Sequence, residues 1–191
     1  MSKQNLSPRG PGAARPVLLT RPVRLPHGFA SAVVAGGRLL AVEWEEGLPA
    51  LRRATAARYP GARTIDARGD KAGRYLLAYA AGTPVAPLAD EGIEIAWERV
   101  GAFDRAVLRA AAAVPYGRTT SYGELAARAG KPRAARAAGG ALSRNPWPVI
   151  VPCHRVVGAR GALVGFGKGI AAKRALLRFE SAARSAAGRA Q

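Results

Sequence analysis

The segment Asn145-Pro146-Trp147-Pro148-Val149-Ile150-Val151-Pro152-Cys153-His154-Arg155-Val156-Val157 holds the single cysteine of this 191-residue chain. Its three prolines frame a short apolar run, read as a strand, and pin a turn that presents Cys153. A lone cysteine is more often a small apolar filler than a reagent. Here His154 and Arg155 follow directly, and a neighbouring cation or imidazole draws a thiol towards the nucleophilic thiolate. Adjacent side chains can point apart in an extended chain, so sequence alone leaves a Cys153–His154 contact open. One Cys and two widely separated His, at 27 and 154, do not form a ligand cluster, and no metal or other cofactor is expected. A single cysteine excludes an internal disulfide, which fits a reducing, cytoplasmic compartment.

Upstream of this segment the apolar period is helical. Phe103, Val107, Ala110, Ala111 and Val114 share a face, and Pro115-Tyr116-Gly117 ends that helix. Ser121-Tyr122-Gly123-Glu124 fits a capping box and opens a second helix that stops at Gly130. Pro132 suits the start of a third, running through Arg133, Arg136 and Leu142. Two short helices around a Gly/Pro turn have the form of a helix-turn-helix, a weak pattern by itself. Downstream, Gly165-Phe166-Gly167-Lys168-Gly169 reads as a loop before a helix from Ala171 to about Ser181. That loop lacks the full phosphate-cradling Gly-x-x-x-x-Gly-Lys-Ser/Thr spacing.

The first half has another character. Phe29–Val34 and Leu39–Trp44 read as strands joined at Gly36-Gly37, and Pro49–Tyr59 reads as a helix. Tyr75–Tyr79 is a short apolar run, residues 83–87 read as loop or edge strand, and Ile93–Trp97 reads as a last strand. Arg68-Gly69-Asp70 reads as an incidental turn. The expected fold is therefore α+β. A small antiparallel-sheet scaffold domain, 23–97, precedes a mostly helical domain, 98–181, with flexible tails at 1–22 and 182–191. Nothing approaches the roughly 18 uninterrupted apolar residues of a membrane span, and the start carries no secretory signal pattern.

Charge sharpens the division. The net charge is +18, and its excess lies in the second half: 13 basic and 8 acidic residues in 1–97, against 17 and 4 in 98–191. Between Arg118 and Arg174, 11 basic residues face one acid, Glu124. Such a segment suits a polyanion, although solvated arginine faces alone can give the same excess. An anionic membrane is less well served, because the basic segment has no bulky apolar stripe.

Pro152-Cys153-His154-Arg155-Val156 resembles the acceptor motif of the O6-alkylguanine-DNA alkyltransferases (methylated-DNA–protein-cysteine methyltransferases). The resemblance extends through Ser121–Ala126, Arg136–Ala141, Asn145-Pro146 and Lys173-Arg174, and through Leu176-Leu177 to Glu180. It is strong over about 103–180, whereas the N-terminal half agrees only in its order of strands and helix. It implies direct reversal of O6-alkylguanine, and of O4-alkylthymine, in duplex DNA by a protein monomeric in solution. Cys153 would accept the alkyl group once, His154 would act as base through a water, and Glu180 would orient the imidazole. Asn145 would hold the turn. Tyr122 would help protonate the departing guanine and press on a phosphate. Arg136 would fill the stack after base flipping, with the helix-turn-helix in the minor groove. Arg133, Ala137, Gly139 and Lys168 would also meet DNA, and Val156, Phe166 and Gly167 would line the pocket. Phe166 stands where the family commonly has Tyr and Lys168 where it commonly has Gly. Lys168 is thus expected to contact a phosphate or to narrow the pocket. Three other readings remain in view: a non-reacting sensor of alkylated DNA, which would lack the acceptor cysteine; a helix-turn-helix regulator; and a cysteine hydrolase using His154 or His27.

Overall fold

The structure, a computed structural model, describes residues 15–86, 88 and 90–187. A hairpin dominates the first half: β3 (Phe29–Ala35) pairs antiparallel with β4 (Arg38–Glu45). Gly36 and Gly37 join them at φ +57° and +79°, the left-handed pair that a two-residue turn between twisted strands needs. Around the hairpin lie β1 (Leu18–Thr20), β2 (Val23–Arg24), β5 (Arg63–Ile65) and β6 (Glu94–Ile95). The sheet order is β5-β1-β3-β4-β6, with β2 on β3.

The sheet is mixed, not antiparallel as the sequence suggested: β5 runs parallel to β1 and β6 parallel to β4. Tight turns return a strand antiparallel, but long helical connections bring the chain back in its original direction. Two helices make those connections, α1 (Leu48–Arg58) and α2 (Lys71–Ala80). The Tyr75–Tyr79 run lies inside α2. Asp70, in the apparently incidental Arg-Gly-Asp turn, caps that helix by accepting from the Ala72 amide at 2.8 Å.

The second half contains α3 (Ala102–Ala112), α4 (Tyr122–Arg128), α5 (Ala135–Ser143) and α6 (Gly169–Ala187). Between them a short parallel pair joins β7 (Thr120–Ser121) to β8 (Val156–Val157). The capping box forms: Ser121 Oγ accepts from the Glu124 amide at 3.1 Å, and Glu124 accepts from the Ser121 amide at 2.8 Å. α5 starts at Ala135, three residues beyond Pro132, because Pro132-Arg133 is spent on the turn.

Two boundaries differ from expectation. β1 lies within the segment expected to be tail, with Leu19 and Thr20 buried between β3 and β5. At the other end α6 continues to Ala187. Residues 1–14 and 188–191 of the expected tails, and Pro87, lie outside the described residues. The larger apolar cluster runs from Val23 and Trp44 on the sheet through Tyr79 to Leu125, Trp147 and Leu176. Packing is therefore continuous across residue 97. Among the described residues, no helix is long and apolar enough to cross a membrane.

Candidate active site

The expected strand at 149–151 is a tight turn. Pro148 and Val151 form an isolated bridge, and Val151 N–H donates to the Trp147 carbonyl at 2.7 Å. Val149, fully buried, sits at φ +73°, a conformation costing about 1–3 kcal/mol for a β-branched side chain. Asn145 holds the turn closed. Its Nδ2 donates to the Val151 carbonyl at 2.8 Å and its Oδ1 accepts from the Trp147 amide at 3.0 Å. β4 supports the same turn from outside: Trp147 Nε1 donates to the Leu40 carbonyl at 3.0 Å, and the Val42 amide to the Pro146 carbonyl at 2.8 Å.

The chain then enters a 3-10 turn, Cys153–Arg155, whose three side chains are all buried. His154 Nε2 lies 2.7 Å from Glu180 Oε1 on α6, and both residues are fully buried. Glu180 accepts further bonds from Tyr79 Oη at 3.0 Å, the Gly117 amide at 2.9 Å, and Arg155 Nε and Nη2 at 3.0–3.2 Å. Burial alone would raise its pKa. The hydrogen bonds and charges of His154 and Arg155 outweigh burial and hold it at about 2. An ionised Glu180 accepts a hydrogen bond from Nε2–H, which leaves Nδ1 as the free base nitrogen. Nδ1 is buried and makes no hydrogen bond to any described residue.

Burial pushes the Cys153 thiol up, against the Asn145 hydrogen bond and the charge of Lys173. Burial pushes His154 down, against Glu180. The site therefore rests as a neutral thiol beside a neutral imidazole. Arg155, which adjacency suggested as the thiol's cation, instead faces Glu180 and the Val114 carbonyl, the latter at 2.7 Å. The nearby cation is Lys173, which the resemblance included but to which it gave no role. Its Nζ donates to the Val164 carbonyl at 2.9 Å and lies 5.6 Å from the Tyr122 ring centre. A signal was present: Ala172, Lys173, Leu176 and Glu180 fall on one buried stripe of α6, so a charge occupies a core position.

Tyr122 opens α4 and donates to the Val164 and Gly165 carbonyls at 3.1 and 3.2 Å. Burial raises its pKa, with the Cys153 charge as a further cause, which places Tyr122 in the field of the thiol. Val156 is buried on β8. Phe166 packs edge-on against Trp44, ring centres 6.0 Å apart, and Gly167 is exposed. Lys168 forms an ion pair with Glu45 at 3.1 Å.

Cys153, Asn145, His154, Glu180 and Tyr122 are thus brought together, whereas Arg133, Arg136 and Ala137 stand exposed on the helix-turn-helix. Gly139 links the two regions: a Cβ there would lie 3.5 Å from the Tyr122 ring. His27 pairs with Glu46. No cluster of three or more potential metal ligands occurs among the described residues.

Residues 102–182 match the family described as 6-O-methylguanine DNA methyltransferase, DNA binding domain. A methylated-DNA–protein-cysteine methyltransferase of Mycobacterium tuberculosis is 55% identical over 78 residues, 41% of this chain and 47% of the relative. The chain thus aligns with about half the length of the mycobacterial relatives. The Methanosarcina acetivorans protein of the same name is 44% identical over 113 residues, 58% of this chain and 67% of its own. Among solved structures, M. tuberculosis OGT in complex with DNA is 34% identical, with a TM-score of 0.69, covering 87% of this chain and 94% of that one. The chain belongs to the methylated-DNA–protein-cysteine methyltransferase family.

Proposed function

We propose that the protein repairs O6-alkylguanine in duplex DNA by moving the alkyl group irreversibly to Cys153. Sγ attacks the alkyl carbon in line, the S–C bond forms, and the C–O6 bond breaks with its electron pair leaving on guanine. His154 Nδ1 takes the thiol proton through a water, and Glu180, ionised, stabilises the imidazolium that results. Tyr122 gives its hydroxyl proton to the departing base, and the Lys173 ammonium beside its ring balances the phenolate left behind. Asn145 fixes the turn that aims Sγ.

O6 cannot be reached inside a duplex, so the nucleotide must leave the stack. Arg136, exposed at the start of α5, is placed to fill the gap. Apart from Arg136, the exposed side of α5 near Ala137 is small, which lets the helix approach a minor groove closely. Arg133 and neighbouring cations add phosphate contacts that carry no sequence information, as repair of any sequence requires. The N-terminal sheet serves as the support for this apparatus. O4-alkylthymine, with the same O-alkyl chemistry, belongs to the same substrate class.

The observation that carries this reading is the buried Cys153 beside the His154–Glu180 pair in a chain with no second thiol. A thioether formed there has no internal route to release, so each molecule reacts once. Intact mass after incubation with an O6-methylguanine duplex tests it. One methyl replacing one hydrogen on Cys153, saturating at one per molecule, is the expected result. DNA binding without transfer would instead identify a sensor or a regulator.

A further inference from the structure

The loop of residues 164–168 closes over the acceptor site and is held from two sides. On the inner side Tyr122 and Lys173 grip the carbonyls of Val164 and Gly165 at 2.9–3.2 Å. Both gripping groups lie within the field of Cys153. On the outer side the loop reaches the far end of β4, where Phe166 packs on Trp44 and Lys168 meets Glu45. The same strand, two and four residues earlier, holds the acceptor turn through Val42 and Leu40. One strand of the N-terminal half therefore sets the spacing between the turn that carries the nucleophile and the loop that faces it.

These contacts differ in how easily they yield. Trp147 and Trp44 are buried, and Lys173 is fully buried. The Lys168–Glu45 pair is the outermost, with side chains 28% and 27% exposed. A partly solvated ion pair contributes little energy, is weakened by salt, and yields first when the loop moves.

We propose that Glu45 and Lys168 are positioning residues for the alkyl transfer: their ion pair fixes the outer end of the 164–168 loop and so the geometry of the pocket over Cys153. This rests on the alkyl-transfer reading above. Lys168 is then engaged within the protein and does not serve as a phosphate ligand.

The test compares Glu45→Gln, Lys168→Gln and the charge-swapped Glu45→Lys/Lys168→Glu with the wild type. Single-turnover methyl transfer from an O6-methylguanine duplex is measured at saturating protein, together with duplex affinity. Both single variants should lose roughly two- to fivefold in transfer rate, the range expected for one partly exposed pair, with duplex affinity equal between them. The swap should restore the rate. Deuterium uptake in the peptide spanning 163–169 needs no chemistry to occur. It should rise in both single variants and return to the wild-type level in the swap. In the wild type and the swap, but not in the single variants, it should also rise with ionic strength. A wild type with no methyl transfer would overturn the alkyl-transfer reading, with loop uptake still deciding whether the pair holds the loop. Transfer with unchanged rates and uptake in both single variants would overturn the positioning role, as would a swap that fails to restore them. Weaker duplex binding in Lys168→Gln alone would mark Lys168 as a phosphate contact and overturn it too.

Discussion

Replacing Glu180 by Gln changes one oxygen to an amino group and leaves the shape of the side chain intact. Around that carboxylate, Gly117 N–H and the Arg155 guanidinium are donors that cannot become acceptors. Arg155 contacts both oxygens, so whichever way the amide lies, its NH2 faces a donor of Arg155. The substitution also strips the counter-ion from a guanidinium only 3% exposed. Removing one partner of a buried pair costs about 3–5 kcal/mol. The depressed pKa leads to a similar figure. A carboxyl held at about 2 instead of 4.5 corresponds to about 3 kcal/mol of stability from its charged form. Glu180→Gln should therefore lower the urea midpoint at constant slope by the equivalent of about 3–5 kcal/mol. At about 2–4 °C per kcal/mol for a chain of this size, Tm should fall by roughly 6–20 °C. Because the folded-state pKa is depressed, this contribution is complete above about pH 4.5 and disappears as pH falls towards 2. The gap between variant and wild type should close over that interval. Arg155→Met added to Glu180→Gln should recover part of the loss, since no buried cation is then left unpaired. A loss under about 1 kcal/mol at neutral pH, or a gap that persists at pH 2, would refute the account of Glu180 as an ionised hub.

Asn145→Ala removes both bonds that hold the acceptor turn at Val151 and Trp147. It should cost about 2–3 kcal/mol in urea denaturation and slow methyl transfer by on the order of 100-fold through misplacement of Sγ. Burial holds the folded His154 below its ordinary 6.5, and the general base must be neutral. The transfer rate should therefore be flat from about pH 6.5 to 8 and fall only in more acidic solution, measured by single-turnover kinetics at fixed ionic strength. A tenfold rise per pH unit across the neutral range would instead indicate a free thiolate mechanism. Ser121→Ala removes the hydroxyl half of the α4 capping box and should cost about 1 kcal/mol, seen as a small drop in Tm.

Elements whose cause is local were readable in the sequence. The Gly36-Gly37 hairpin, α1 and the Ser121 capping box follow from turn chemistry, apolar period and side-chain reach, and each lies within a residue or two of its expected place. The sheet's parallel pairings were not readable, because they depend on where α1 and α2 return the chain. Nor was the turn at 149–151. An apolar β-branched run normally argues for a strand, and only the bonds from Asn145, Trp147 and β4 force Val149 to a positive φ. At the site, sequence named His154 and Glu180 through the resemblance, but proximity in the chain misassigned Arg155. The partner of Arg155 lies 25 residues away on another helix. The Lys168–Glu45 pair was not readable either, since Glu45 belongs to the half of the chain where resemblance is faint.

Burial and charge together explain why a protein with one usable thiol keeps it in protonated form. A resting thiolate–imidazolium pair would place a third cation on His154 beside Arg155 and Lys173, and the charges of both lower its pKa. Among the described residues, the one anion in contact with the imidazole, Glu180, already neutralises Arg155. In the proposed reaction, proton loss from Cys153 is thus coupled to attack, when the developing charge moves onto guanine and a proton reaches the departing base. An electrophile that brings no such acceptor meets a buried, protonated sulfur. On the proposed mechanism nucleophilicity is in this way confined to the docked substrate, next to β4, the strand that contacts both the acceptor turn and the 164–168 loop.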